Sequence, residues 1–128
     1  MLVFDASAAV KWFRPDEAGA EVALGLLLNA EGADVWLPDN CVHEVMRCVA
    51  QRMSPEAMPE AWDWLIRAHV SIGHLDRYLI ATAAQVQAVL GCTYYDALAP
   101  ALARLLGGTL VSADRRAHAA FPEVLLLG

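Results

Sequence analysis

At 128 residues the chain has the size of one ordinary domain, large enough to bury a core and too short for two. Hydrophobic residues make up 58% of it and charged residues 19%, yet the charge-free stretch Leu79 to Tyr95 is broken by Thr82, Gln85 and Gln87, so no segment reads as a membrane span and a soluble protein is expected. The formal net charge of −6 argues against a nucleic-acid ligand unless basic residues gather locally.

Met1-Leu2-Val3-Phe4-Asp5 has no basic segment leading into a long apolar one, so nothing directs export and the cytoplasm is the expected compartment. Cys41, Cys48 and Cys92 form neither an even set nor a C-x-x-C pair, and the four histidines have no ligand spacing with them, which points to buried reduced thiols rather than zinc. The surplus of apolar residues predicts exposed patches, and with them an oligomer or a tight protein partner.

Leu2-Val3-Phe4 is a β-prone run ending at Asp5, and Ala6 to Phe13 suits a first helix. Glu17 to Ala30 places Val22, Ala23, Leu26 and Leu27 at helical spacing, with Gly32 as a stop. Val35 to Pro38 reads as a second strand; Asp39 or Asn40 then caps a helix to about Met53, whose stripe is Val42, Val45, Met46 and Val49 and which carries Glu44 off the stripe's centre. Ser54-Pro55-Glu56 opens a helix through Trp62, Leu65 and Ile66. Val70-Ser71-Ile72 is a short strand candidate, and a helix from about Asp76 to Leu90 ends at Gly91. Thr93-Tyr94-Tyr95-Asp96 introduces a helix closed by Gly107-Gly108, with Pro100 inside it. A proline there lacks the N–H for the Asp96 carbonyl and crowds it, so the helix is expected to start late or kink. Thr109 to Ser112 is a strand running into Ala113-Asp114; a helical stretch follows, and Val124 to Leu127 is the last strand.

Strands and helices alternate without repeats or linkers, which predicts a single α/β domain over residues 1–128: a central, mostly parallel sheet of about four to five strands between helical layers. Such folds bind ligands beyond the carboxyl ends of the strands. Asp5, Glu44, Asp96 and Asp114 each fall at a strand end or an early helix turn. If they converge they repel one another unless protonated or bound to a cation. Oxygen-only ligands favour Mg²⁺ or Mn²⁺, and an ion so held activates a water and polarises a phosphoryl oxygen.

The sequence Val3-Phe4-Asp5-Ala6-Ser7-Ala8-Ala9-Val10-Lys11-Trp12 resembles the opening of PIN-domain proteins, in particular VapC-type toxins. The family's second acid is matched by Glu44 in Leu37-Pro38-Asp39-Asn40-Cys41-Val42-His43-Glu44-Val45, its third by Asp96 in Tyr94-Tyr95-Asp96-Ala97-Leu98, and its last block by Leu110-Val111-Ser112-Ala113-Asp114-Arg115-Arg116. The resemblance spans essentially the whole chain. It departs at Arg47 and Cys48, where the family often has Asn, and at Pro100.

The resemblance implies a PIN-like three-layer sandwich and a metal-dependent endoribonuclease, dimeric and neutralised by a cognate antitoxin. It implies Asp5, Asp96 and Asp114 as metal-facing acids, Glu44 completing the pocket, and Ser7 and Ser112 as hydrogen-bond partners of the carboxylates. Lys11, Arg14, Arg47, Arg115 and Arg116 neighbour the acids in sequence, and as a basic rim they would hold RNA phosphates despite the acidic total. Trp12 and Phe13 are the aromatic residues retained for base stacking, while His43, His69, His74 and His118 are assigned structural or surface roles. Two rival readings are a PIN-fold binding domain impaired near Asp96 that keeps only its partner surface, and a phosphate-handling domain of the receiver or phosphatase kind, for which the Asp-x-Asp pattern is missing after the first strand.

Overall fold

The computed structural model of the chain describes residues 1–30 and 34–128. Within them the apolar runs form strands β1 (Leu2–Phe4), β2 (Val35–Pro38), β3 (Val70–Gly73), β4 (Thr109–Ser112) and β5 (Val124–Leu126). The intervening segments form helices α1 (Ala6–Ala9), α2 (Ala20–Leu28), α3 (Asp39–Arg52), α4 (Met58–Arg67), α5 (Arg77–Leu90), α6 (Tyr94–Leu106) and α7 (Arg115–His118). The strands make one sheet in the order β3-β2-β1-β4-β5, every pairing parallel.

The expected three layers follow from strand alternation. Phe4, Leu37 and Val111 point to one face and pack with Ala8, Val45, Val49 and Leu65 from α1, α3 and α4. Val3 and Leu110 point to the other and pack with Ala83, Val86, Leu98 and Ala101 from α5 and α6. The chain builds outward from β1 to β3 and then returns to β4 on the opposite side of β1, so the strand order reverses between β1 and β4. A crevice opens at such a switch point, beyond the strands' carboxyl ends. Phe4 is level with Val111, and the Asp5 N–H donates to the Val111 carbonyl at 3.0 Å, which brings Asp5 beside Ser112 in that crevice.

Several boundaries differ from expectation for identifiable reasons. The first helix is α-helical only to Ala9 and tightens to a 3₁₀ turn over Val10–Phe13 as the chain prepares to turn before Pro15. The second starts at Ala20 rather than Glu17, because Gly19 has φ of +82° and the Ala18 carbonyl is turned to the Lys11 ammonium. Val22 consequently faces solvent while Ala23 and Leu27 are buried. The helix ends at Leu28, and Gly32 lies outside the described residues. Neither Asp39 nor Asn40 caps α3 from outside; Asp39 is its first residue, and its carboxylate accepts the Leu75 N–H instead. Pro55 opens a 3₁₀ turn, α4 starts only at Met58, and Trp62 and Ile66 face outward.

The expected late start of the Asp96 helix is overturned. Thr93 caps α6 through its hydroxyl, which accepts the Asp96 N–H at 3.2 Å, and the helix runs from Tyr94 through Pro100 to Leu106. Pro100 is buried with six other consecutive residues of α6, Ala97 to Ala103, so packing on both sides holds the helix across the missing hydrogen bond. No helix among the described residues is long and apolar enough to cross a membrane.

Candidate active site

Asp5 ends β1 and caps α1, as an aspartate with extended backbone before a helix is suited to do. Its Oδ1 accepts from the Ala8 N–H at 2.9 Å and the Ser7 hydroxyl at 2.6 Å. Its Oδ2 accepts from the Ser112 hydroxyl at 2.6 Å and lies 3.0 Å from His118 Nδ1. Ser7 and Ser112 are in turn oriented by backbone: the Ala113 N–H donates to Ser7 Oγ and the Asp114 N–H to Ser112 Oγ. Burial by itself pushes the Asp5 carboxyl up, but the hydrogen bonds from His118, Ser112, Ser7 and Ala8 outweigh it and hold the group below the ordinary aspartate value.

Asp114 follows β4 and caps α7, its Oδ1 accepting the Ala117 N–H at 3.0 Å. Glu44 projects from the second turn of α3 and Asp96 from the first turn of α6. Asp5, Glu44, Asp96 and Asp114 line one cavity of about 70 Å³ together with Ser7, Cys41, Tyr95 and His118. Four acids thus come from four separate parts of the chain to the crevice at the sheet's switch point. Desolvation raises the Glu44 carboxyl, and the negative charges of Asp5 and Asp96 raise it further against the opposing Arg47. The same burial, with Asp5 and Glu44 nearby, pushes the Cys41 thiol well up, so it supplies no thiolate at neutral pH. Of the three cysteines only Cys41 is buried; Cys48 and Cys92 are half-buried.

The donor set suits a hard divalent cation: it is all oxygen, and like charges crowd one small space. The fit is to a hydrated ion. Asp5's four lone-pair positions already face donors, and among the described residues no three acids, histidines or cysteines form a ready ligand cluster. Mg²⁺ commonly takes one or two carboxylates and keeps several waters, which matches this arrangement.

The basic residues divide. Arg14 and Arg47 line a depression of about 300 Å³ that shares Ser7 and Glu44 with the acidic cavity. Arg116 lines another, of about 420 Å³, that shares Asp96 and Asp114 with it, and Arg115 edges a third beside Ser7 and Asp114. Lys11 turns inward: its ammonium donates to Glu17 Oε1 at 2.8 Å and to the Ala18 carbonyl at 2.6 Å, and the residue is 5% exposed. Arg14 is partly engaged as well, with Nε 2.8 Å from Glu17 Oε2. Trp12 is a core residue, its indole N–H donating to the Ala23 carbonyl and its ring against Phe4 and Trp64; the Phe13 ring also packs on Trp64.

His118 is the site residue that sequence reasoning set aside. It is 2% exposed, its Nδ1 reaches Asp5 Oδ2 and Ser112 Oγ, and its Nε2 lies 2.7 Å from the Asp96 carbonyl oxygen. Burial disfavours its charge, but the Asp5 carboxylate and the Asp96 carbonyl, with the charge of Asp114, raise its pKa above the ordinary histidine value. Its signal in the sequence is its place four residues after Asp114, which one helical turn returns to the same side. His43, His69 and His74 are exposed.

A family model of the PIN domain matches residues 2–123. Among solved structures, the chain is similar to a toxin–antitoxin complex from Klebsiella pneumoniae at 16% identity and a TM-score of 0.75, over 98% of this chain and 96% of that one. It is similar to VapC20 of Mycobacterium tuberculosis, a sarcin-ricin loop cleaving toxin, at 18% identity and a TM-score of 0.75, over 97% and 98%. VapBC2 from Rickettsia felis, bound to a fragment of promoter DNA, is similar at 15% identity and a TM-score of 0.74, over 98% and 96%. At these identities the likeness concerns the fold. A search of curated proteins gives no match.

Proposed function

From the premise that the chain belongs to the PIN-domain family, we propose that it is a metal-dependent endoribonuclease and the toxin of a VapBC-like toxin–antitoxin module. The observation that carries this reading is the scale and charge of the crevice. A cavity of about 70 Å³ is well below the roughly 300–1,000 Å³ of pockets that enclose small-molecule ligands, and so takes an ion with its waters but not a nucleotide. The depressions beside it are several times larger and edged by arginine. A polyanion laid along them would present one phosphate at a time to the acids.

In this reading Asp96, Asp114 and Glu44 would hold a divalent cation, Mg²⁺ or Mn²⁺, and Asp5, whose oxygens already face Ser7, Ala8, Ser112 and His118, would meet it through the ion's bound water. Such an ion, when bound, lowers the pKa of a water and polarises a phosphoryl oxygen, which phosphodiester hydrolysis requires. Ser7 and Ser112 fix the Asp5 carboxylate by donating to opposite oxygens. Glu44, by its place on the rim shared with the Arg47 depression, is suited to take a proton from an attacking water. Arg47, Arg115 and Arg116, all exposed, hold flanking phosphates.

The structural neighbours include toxin–antitoxin assemblies, and the partner proposed here is a cognate antitoxin that closes over the crevice. A second copy of the chain is also proposed, supported by Tyr78 and Val89, which lie on one face of α5 and are exposed to solvent. Expression of this chain alone is expected to arrest bacterial growth, with release by Asp114→Asn. Arrest that persists undiminished in well-expressed Asp114→Asn contradicts the assignment.

A further inference from the structure

In an unbroken helix the Asp96 carbonyl would accept the N–H of residue 100, and Pro100 has none. A buried carbonyl deprived of its partner is destabilising unless another donor reaches it. His118 Nε2, 2.7 Å away, is that donor. A carbonyl oxygen only accepts, so Nε2 carries a proton; the Ser112 hydroxyl gives its own hydrogen to Asp5, so Nδ1, 3.0 Å from Asp5 Oδ2 and 2.8 Å from Ser112 Oγ, carries one as well when it donates to the carboxylate, and the two bonds fix the ring's orientation. The His118 N–H also donates to the Asp114 carbonyl at 3.0 Å. One buried residue therefore touches the acid of β1, the serine of β4, the backbone of the α6 acid and the backbone of the α7 acid.

We infer that His118 is the positioning residue of the acidic cavity and that Pro100 is its counterpart: the proline leaves the Asp96 carbonyl open to the imidazole, which then sets the Asp5 carboxylate against α6. Pro100 is on this account part of the site's construction and not a distortion of it. The inference rests on reading the cavity as the cation site of a nuclease. Neither residue touches substrate; both act through Asp5 and Asp96. Residues that orient metal-holding groups in this way typically cost about 10–100-fold in metal affinity when replaced.

The test uses the full chain and Mn²⁺ alone, with two readouts that do not require RNA cleavage. In long-range proton–nitrogen NMR spectra, the wild type is expected to show a His118 imidazole with a protonated, exchange-protected Nε2. Pro100→Ala, which restores a competing N–H, should speed exchange of that proton. In Mn²⁺ titrations followed by electron paramagnetic resonance, His118→Phe should bind at least about tenfold more weakly than wild type. Pro100→Ala should weaken binding in the wild-type background and have no further effect on top of His118→Phe, because both act through one carbonyl. Unchanged Mn²⁺ affinity in both variants, or a Pro100→Ala effect that is the same with and without His118, overturns the proposal. If His118→Phe does not fold, the Nε2 proton in Pro100→Ala decides, and an unaltered signal overturns the link. Failure of the wild type to bind Mn²⁺ overturns the cation-site reading itself, and is distinguished by an imidazole signature that still reports the bond to Asp96.

Discussion

The Lys11 ammonium lies buried against the Glu17 carboxylate and the Ala18 carbonyl, though along the sequence it stands with the basic residues that follow Asp5. A hydrogen bond to Lys11, with the charges of Lys11 and Arg14, holds the Glu17 carboxyl below its ordinary value of 4.5. Removing it in Glu17→Ala leaves a buried cation with one neutral acceptor, and a loss of about 1–3 kcal/mol is expected in urea denaturation near neutral pH. Because the folded pKa is depressed, this contribution is present above the unfolded value and is lost as pH falls through the lower folded one, so wild type and variant should converge in acid. The Arg residues that stay outside carry the converse expectation. Replacing Arg115 and Arg116 by Ala should raise KM for RNA and flatten its salt dependence with little change in kcat. Which basic side chains turn inward was not legible from spacing, because it depends on oxygens that the turn before α2 brings within reach of Lys11. His118 was missed for a related reason: its partners Asp5 and Asp96 stand at the end of β1 and on α6, both far from it in sequence.

At the scale of elements, the strands were legible because all five are short apolar runs bounded by turn residues or acids, and Asp76, Thr93, Gly91 and Gly107 mark helix ends as their chemistry requires. The disagreements lie where a tertiary contact competes with local preference. Pro100 should break an isolated helix, yet α6 is buried along its middle and His118 replaces the lost donor. Asp39 should cap α3, yet its carboxylate is drawn to Leu75. The joint between α6 and β4 is tighter still. A Cβ on Gly108 would stand 2.7 Å from the Met1 carbonyl oxygen, which itself accepts the Thr109 N–H at 3.0 Å. Gly108→Ala must therefore push β1 away from β4 at its first rung, and a destabilisation of about 1–3 kcal/mol in thermal or urea unfolding is expected. Stability unchanged by that substitution would contradict the close approach.

For the whole molecule, the order β3-β2-β1-β4-β5 gathers acids that are 109 positions apart at the extremes, Asp5 and Asp114, into one crevice. Alternating strands and helices made the sheet's parallel character readable, and the acids' positions at strand ends made their convergence an expectation; the depth of Asp5 and the partition of its oxygens among four donors were not readable, since they depend on register. The global charge of −6 does not report the local arrangement either, in which arginines edge the depressions beside the acids. The central claim is that this crevice cleaves RNA with a divalent cation. The measurement that tests it most directly is incubation of the purified, antitoxin-free chain with a mixed RNA pool and Mg²⁺ or Mn²⁺, beside an EDTA control and Asp5→Asn. Cleavage within strands, present with metal and absent from both controls, is the predicted result; folded protein that binds its partner but leaves every RNA intact with either metal would contradict it and favour a PIN-fold binding domain.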